Sequence, residues 1–345
     1  MSRRFKTKGL RVLALFDAGS PVHPDHDLKD ELKTEDWKTE ADVLGALRAL
    51  GCETMHHVLH DDLDALRAKL DAFQPVVVFN LADEFRNNRA LDQNIASLLE
   101  LEGVPFTGCG STGLMLCKHK AISKQILSYH RIRVPDFAVI PMGGRSKSRP
   151  ARLRFPIILK PMKEEGSTGI SKASVVEDDA GFRERVGFLH ERFGQDVIAE
   201  EFIPGRELYL AMMGGRSVRV FPVREMVFRE MPEDDPKIAT YNAKWDEDYR
   251  KRWGIHNEFA ADLDPALKRR IERTGRRIYQ LLACDGYARL DLRLTPEGEV
   301  VFIEANPNPI LAQDEDFAQA AAKAGLGYPR LVREILRLGL TIVRG

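Results

Sequence analysis

Gly286–Pro309, GYARLDLRLTPEGEVVFIEANPNP, predicts two β-strands, Tyr287–Leu294 and Val300–Ala305, joined by a Thr-Pro-Glu-Gly turn. Arg289 and Asp291 stand two apart and so share one face of the first strand; Glu304 and Asn306 do the same at the end of the second. Antiparallel pairing would bring two carboxylates, one amide and one guanidinium onto a single patch. Hard cations such as Mg²⁺ take oxygen ligands of this kind, usually one or two carboxylates together with substrate phosphates. An ordinary hairpin with a charged solvent face accounts for the alternation equally well.

The chain has 345 residues, enough for two or three domains. Its 52 basic and 52 acidic residues balance. That balance argues against a nucleic-acid binder or a protein of anionic membrane surfaces. The basic cluster Arg3–Lys8 reads as a solvated tail. The apolar run behind it, Leu10–Phe16, is too short and too charged for a signal-peptide core, and no stretch could span a bilayer. Cys52, Cys109, Cys117 and Cys284 lack metal-ligand spacing, which fits reduced thiols in a cytoplasmic protein.

Strand and helix alternate from residue 10 to 110. Strands are expected at Leu10–Phe16, Glu53–Leu59 and Val76–Asn80, and helices at Glu35–Leu50, Asp62–Phe73 and Asp92–Glu102. This is the pattern of a doubly wound α/β domain, with ligands at the carboxyl ends of its strands. A short strand follows at Val104–Gly108, then a helix over Cys117–His130 carrying Lys118, Lys120 and Lys124. Pro141–Arg152, with Gly143, Gly144, Ser146, Ser148 and Pro150, reads as a linker or exposed loop. The apolar strand Phe155–Lys160 ends in a lysine and runs into a loop containing Gly-Ser-Thr-Gly. Such a loop suits polyphosphate, and also suits an exposed hairpin tip. Helix Asp179–Phe193, strand Asp196–Glu201 and a Pro-Gly-Arg turn leading to Glu207 come next. Residues 229–264 are charged, aromatic and poorly patterned, too long for a plain connector. The amphipathic helix Pro265–Leu282 precedes the hairpin, and an acidic loop, Gln313–Asp316, and helix Tyr328–Leu338 close the chain.

In this order the pieces VVVFN, LLELEGVPFTGCG, Lys120-x-x-x-Lys124, FPIILKP, VIAEEFIPGRE, YNAKW, GYARLD and FIEANPNP resemble an ATP-grasp ligase, and within that superfamily a divergent member of the D-alanine–D-alanine ligase family. The resemblance implies an N-terminal α/β domain over residues 1–118 and a two-part α+β ATP-grasp unit over 119–213 and 214–345. It implies ATP and two Mg²⁺ ions, with Mn²⁺ as a substitute, small-molecule carboxylate and amine substrates, and a homodimer. Lys120 and Lys160 would hold the ATP phosphates, with Ser167 in the phosphate loop. Glu200 would take the adenine amino group, with Glu201 and Ile203 beside it on the hinge strand, and Glu207 the ribose. Lys244 would reach the γ-phosphate, Asp291, Glu304 and Asn306 would ligate the metal ions, and Arg289 would stabilise the tetrahedral oxyanion.

The sequence also departs from that family. Its N-terminal Gly-Gly-x-Ser-x-Glu-x-x-Val-Ser is absent, and Asp17-Ala18-Gly19-Ser20-Pro21-Val22-His23-Pro24 stands there instead. Its His-Gly-x-x-Gly-Glu-Asp-Gly is replaced by Leu81–Asp92, and Ile310 takes the place of a glycine after the hairpin. The phosphate loop survives loosely as Gly166-Ser167-Thr168, its register open by one residue. The expected activity is carboxylate–amine ligation through an acyl phosphate on substrates other than two D-alanines. A genuine D-alanine–D-alanine ligase and an ATP-binding module without chemistry are the rivals. The carboxylates of Asp314, Glu315 and Asp316 either repel an anionic acceptor in favour of a basic one or face solvent and cap the next helix.

Overall fold

The computed structural model describes residues 5–23, 26–144, 148–233 and 235–342. Arg3, Arg4, Pro24 and Ser146 lie outside the described residues. Three sheets organise the chain, each built from consecutive sequence.

The first is parallel, β2-β1-β3, from β1 (Arg11–Asp17), β2 (Glu53–Leu59) and β3 (Val77–Asn80). The interior of β1, Val12 to Phe16, is wholly buried, as a strand covered on both faces must be. The flanking helices are α1 (Lys38–Ala49), α2 (Leu63–Phe73) and α3 (Asp92–Leu101). The Asp62 carboxylate caps α2 by accepting from the Ala65 N–H at 2.9 Å. The strand expected over Val104–Gly108 is reduced to one parallel bridge between Phe106 and Val78, because Pro105 has no N–H to extend a ladder. The single helix expected over Cys117–His130 is two, α4 (Ser111–Lys118) and α5 (Lys120–Tyr129). His119 breaks the run with an extended backbone and accepts from the Ile122 N–H to start the second helix.

The second sheet is antiparallel, β4-β7-β5-β6, from β4 (Phe137–Ile140), β5 (Ile157–Pro161), β6 (Val175–Val176) and β7 (Val197–Glu201), backed by α6 (Asp179–Phe193). The third runs β11-β10-β8-β12-β13, with β9 pairing β8. Its strands are β8 (Arg206–Gly214), β9 (Val218–Val220), β10 (Arg224–Phe228), β11 (Ile255–Phe259), β12 (Gly286–Leu294) and β13 (Val300–Pro307). Residues 229–264 are more ordered than their pattern suggests. They hold α7 (Tyr241–Trp245), α8 (Glu247–Arg252) and β11. Helix α9 (Pro265–Leu281) packs Ile271 and Ile278 beneath the sheet. Helix α10 (Asp316–Lys323), which the acidic loop concealed, and α11 (Tyr328–Thr341) end the chain.

Those last helices return to the first sheet. Leu331, Val332, Ile335 and Leu336 of α11 share a core with Val12, Val77 and Phe79. Each buried aliphatic side chain there contributes about 1.5–3 kcal/mol. The third sheet is therefore held against the first through its own continuation. Gly286 seals the same junction: its φ is +68°, and a Cβ there would lie 2.4 Å from the Gly108 carbonyl oxygen. Asn308, just after β13, accepts from the Cys109 N–H at 2.7 Å.

Candidate active site

The hairpin β12–β13 forms as its alternation predicts. Arg289 pairs with Asn306 and Asp291 with Glu304, and a bulge follows Asp291. All four side chains therefore emerge on one patch, and the bulge re-aims the strand beside it. Arg289 donates from Nε to Asp291 Oδ1 at 2.8 Å and from a terminal nitrogen to Oδ2 at 3.0 Å. Its guanidinium lies 4.8 Å from the Tyr209 ring centre. Burial pushes the Asp291 carboxyl up to about 6 against the pull of Arg289 and Lys244. Burial also opposes ionisation of Glu304, but Lys244, Lys120 and Lys160 together hold its carboxyl down at about 2.

The second sheet supplies the lysines. Lys160 and Glu200 sit on neighbouring strands, β5 and β7. Lys160 Nζ lies 2.7 Å from Glu200 Oε2, and Lys124 Nζ lies 2.8 Å from Oε1. Lys124 also donates to the Ile303 carbonyl at 2.7 Å. Glu200 is completely buried, and the two lysines bring its carboxyl down to about 2 despite that burial. Lys120 is buried as well and donates to the Glu164 carbonyl.

Two loops close over the cleft between the sheets. Ser167, at φ +64°, donates from Oγ to the Ala239 carbonyl at 2.5 Å. Trp245 donates from its indole to the Gly166 carbonyl at 2.8 Å, and the Tyr241 N–H donates to the Ile170 carbonyl at 3.0 Å. Lys244 rides on the short helix so clamped and lines the cleft with Lys160, Ser167, Glu207, Asp291 and Glu304. The space left is about 60 Å³. A small-molecule site usually spans roughly 300–1,000 Å³, so nucleotide entry requires these two loops to part.

The structure brings together the residues singled out from sequence, with refinements. Ile203 lines the cleft and is buried. Glu201 lines the cleft, but its carboxylate is turned onto Arg133, 2.8 Å away. Glu207 is ion-paired to Arg293 at 2.7 Å. The Glu200 carboxylate is already committed to two lysines. Lys124 and Arg293 were not among the expected site residues. Both were legible: Lys124 follows Lys120 by one helical turn, and Arg293 continues the alternation of Arg289 and Asp291.

The acidic loop fits neither of its two expected roles as a whole: no side chain caps the next helix, and most of its charge is neutralised. Asp314 is held by Lys38 at 2.7 Å, and Asp316 by Arg224 and Asn257 at 2.6 Å each. Only Glu315 keeps an unneutralised carboxyl, which burial raises.

Asp291, Glu304 and Asn306 offer only hard oxygen ligands for a cation. The buried Nδ2 of Asn306 has no hydrogen-bond partner among the described residues. Glu304 is ionised and Asp291 buried, and both gain from a positive neighbour. The set fits Mg²⁺ bound in part by substrate phosphate.

A cleft between two antiparallel sheets, with lysines on one wall and paired acids on the other, defines the ATP-grasp class. The family described as "D-ala D-ala ligase C-terminus" matches residues 126–337. The D-alanine–D-alanine ligase of Bordetella avium is 30% identical over 297 residues, 86% of this chain and 87% of that protein. The fold matches the Bacillus anthracis D-alanine–D-alanine ligase complexed with ATP at TM-score 0.71 and 20% identity, over 97% of this chain and 98% of that one. It also matches the VanG D-Ala:D-Ser ligase of Enterococcus faecalis at TM-score 0.71 and 18% identity, over 96% of this chain and 100% of that one. The chain belongs to the D-alanine–D-alanine ligase family and is an ATP-grasp carbon–nitrogen ligase.

Proposed function

We propose that the protein couples a small carboxylate to a small amine at the expense of ATP, through an acyl phosphate, with at least one substrate other than D-alanine. The observation that carries this reading is the convergence of Lys120, Lys160 and Lys244 on Glu304, beside the Arg289–Asp291 pair. Phosphoryl transfer requires positioning and charge neutralisation more than covalent help, and this constellation provides both.

In the first step a carboxylate oxygen attacks the γ-phosphorus, and the bond to the β–γ bridging oxygen breaks, releasing ADP. Lys120, Lys160 and Lys244 neutralise the phosphates. Ile203 and the hinge main chain receive the adenine, and Glu207 the ribose; Glu200 acts by fixing Lys160 and Lys124. Mg²⁺ held by Asp291, Glu304 and Asn306 would supply charge neutralisation for the phosphate oxygens. In the second step the amine attacks the acyl carbon, phosphate leaves with the C–O electron pair, and the nitrogen loses a proton. Arg289 donates to the oxyanion that forms between those events.

The departures around the substrate support a changed specificity. Strand β1 ends at Asp17 and runs into Ala18-Gly19, and Ile310 lines the adjoining cavity. The division at residues 118 and 213 follows from this reading. So does a cytoplasmic location, where ATP and Mg²⁺ are supplied; no helix among the described residues is long and apolar enough to cross a membrane. Dimerisation belongs to the same family-based proposal. The resemblance to the B. avium enzyme makes a genuine D-alanine–D-alanine ligase the second reading.

The test is ADP release with Mg-ATP and a panel of amino acids, beside melting with Mg-ATP alone. A ligand at 100 times its Kd stabilises by about 2.7 kcal/mol. An unmoved melting temperature at saturating Mg-ATP would overturn the nucleotide site. Efficient D-alanyl-D-alanine formation would establish the second reading.

A further inference from the structure

Beside the reaction patch lies a second cavity, of about 660 Å³, between the carboxyl ends of the first sheet and the loop that follows β13. Of the charged side chains lining it, eight are acidic and two, Lys38 and Arg89, are basic. Both basic groups are already paired. Lys38 is bound to Asp314 and Glu35, and Arg89 faces Glu84 at 3.9 Å. A chain with no net formal charge has thus concentrated acidic groups without basic partners in one cavity.

The charge is focused at one end. Asp17 closes β1, Asp83 follows β3 and Glu40 lies in the first turn of α1. The Asp83 N–H donates to Asp17 Oδ1 at 2.8 Å, which fixes the two acidic segments side by side. Glu40 Oε2 is buried without a hydrogen-bond partner. None of the three carboxylates has a cationic partner within 4 Å among the described residues. The cavity walls between the acids and the patch are apolar in part, with Trp245, Tyr287 and Ile310. At the other end Glu315 feels Arg289, and Trp245 adjoins Lys244.

We infer that this cavity selects a carboxylate substrate bearing a second ammonium group, a diamino monocarboxylic acid. Its carboxylate is directed to Arg289 and Lys244, its short methylene stem lies along Trp245 and Ile310, and its ammonium groups meet Asp17, Glu40 and Asp83. Asp17 and Glu40 are partly buried without a cationic partner, Asp83 is exposed at the rim, and a hydrogen-bonded ammonium removes the cost of charging the two inner acids. A neutral amino acid of equal length leaves the same acids unpaired, so discrimination follows from what it fails to satisfy. The inference rests on the ligase reading for the fate of the carboxylate, and on the cavity alone for the charge of the ligand.

The experiment measures binding and turnover separately on the full chain. Calorimetry without ATP compares 2,4-diaminobutyrate, ornithine and lysine, each as both enantiomers, with 2-aminobutyrate, norvaline and glutamate. ADP release with Mg-ATP is followed with the same panel. At least one diamino acid is expected to bind about tenfold or more tightly than its neutral counterpart. That preference should shrink as salt is raised. Glu40→Gln with Asp83→Asn should raise KM for the diamino acid roughly ten- to hundredfold, with KM for Mg-ATP unchanged. A neutral amino acid bound and turned over as well as the diamino acids overturns the inference and leaves the ligase reading standing. Absence of diamino acid binding also overturns it. Selective binding without ADP release from any carboxylate upholds the cation site and overturns the ligase reading.

Discussion

Arg289 holds Asp291 through two parallel hydrogen bonds along one face of β12, the guanidinium resting on the Tyr209 ring. The pair joins the group assigned to the intermediate with a group assigned to the metal. Arg289→Ala should lower turnover on the order of 10²–10³, the usual cost of an oxyanion donor. Affinity for Mg-ATP should stay within a fewfold of the parent. Arg289→Lys should recover little, since an ammonium cannot reproduce the bidentate geometry. Steady-state kinetics beside nucleotide titration checks the split; equal loss of affinity and turnover would make Arg289 a phosphate ligand.

Lys160 serves the free protein as well as the nucleotide. With Lys124 it brackets the buried carboxylate of Glu200. Glu200→Gln leaves two buried ammonium groups facing a neutral amide. The expected loss is about 3–5 kcal/mol, the scale of breaking a buried ion pair. Lys160→Ala should cost less, because Lys124 remains, but should abolish most of the Mg-ATP melting shift. Urea unfolding of the parent and the two variants measures the first effect, and thermal melting with and without Mg-ATP the second.

The Trp245 indole ties the two covering loops together at Gly166. Trp245→Phe keeps the ring and removes the donor, a loss of about 1 kcal/mol for a neutral hydrogen bond. KM for ATP should rise several-fold. Water should also reach the acyl phosphate more often. ADP released per amine consumed should then climb above one, against a ratio near one in the parent. An unchanged ratio would show that closure does not depend on this contact.

The hairpin was legible because β-alternation fixes which side chains share a face, whatever the rest of the chain does. Asp291 and Glu304 therefore met as expected, one opposite the other. The broken helix at His119 was not legible, because the residue has no strong helix-breaking signature and its conformation is set by packing. Nor was the pairing of Asp314 with Lys38, which joins residues 276 positions apart. Local pattern gave the acidic loop its charge, but only the tertiary fold supplied its partners. The second cavity was hidden for the same reason: Asp17 ends β1, Glu40 opens α1 and Asp83 follows β3, three separate parts of the first domain.

That grouping makes stability depend on pH in a stated direction. Burial, then Asp83, with lesser contributions from Glu84 and Glu40, pushes the Asp17 carboxyl from 3.8 up to about 8, while the Asp83 N–H opposes the rise. A folded-state value above the unfolded one means that the folded protein binds more protons between those limits. Its stability therefore falls as pH rises from about 4 to about 8. Asp17→Asn keeps an acceptor for the Asp83 N–H and removes the charge. Relative to the parent, the variant should gain stability progressively across that window. The comparison cancels histidines and other groups common to both proteins. Urea midpoints at pH 4, 6 and 8 measure the difference. A difference that stays flat would show that folding does not raise the Asp17 carboxyl.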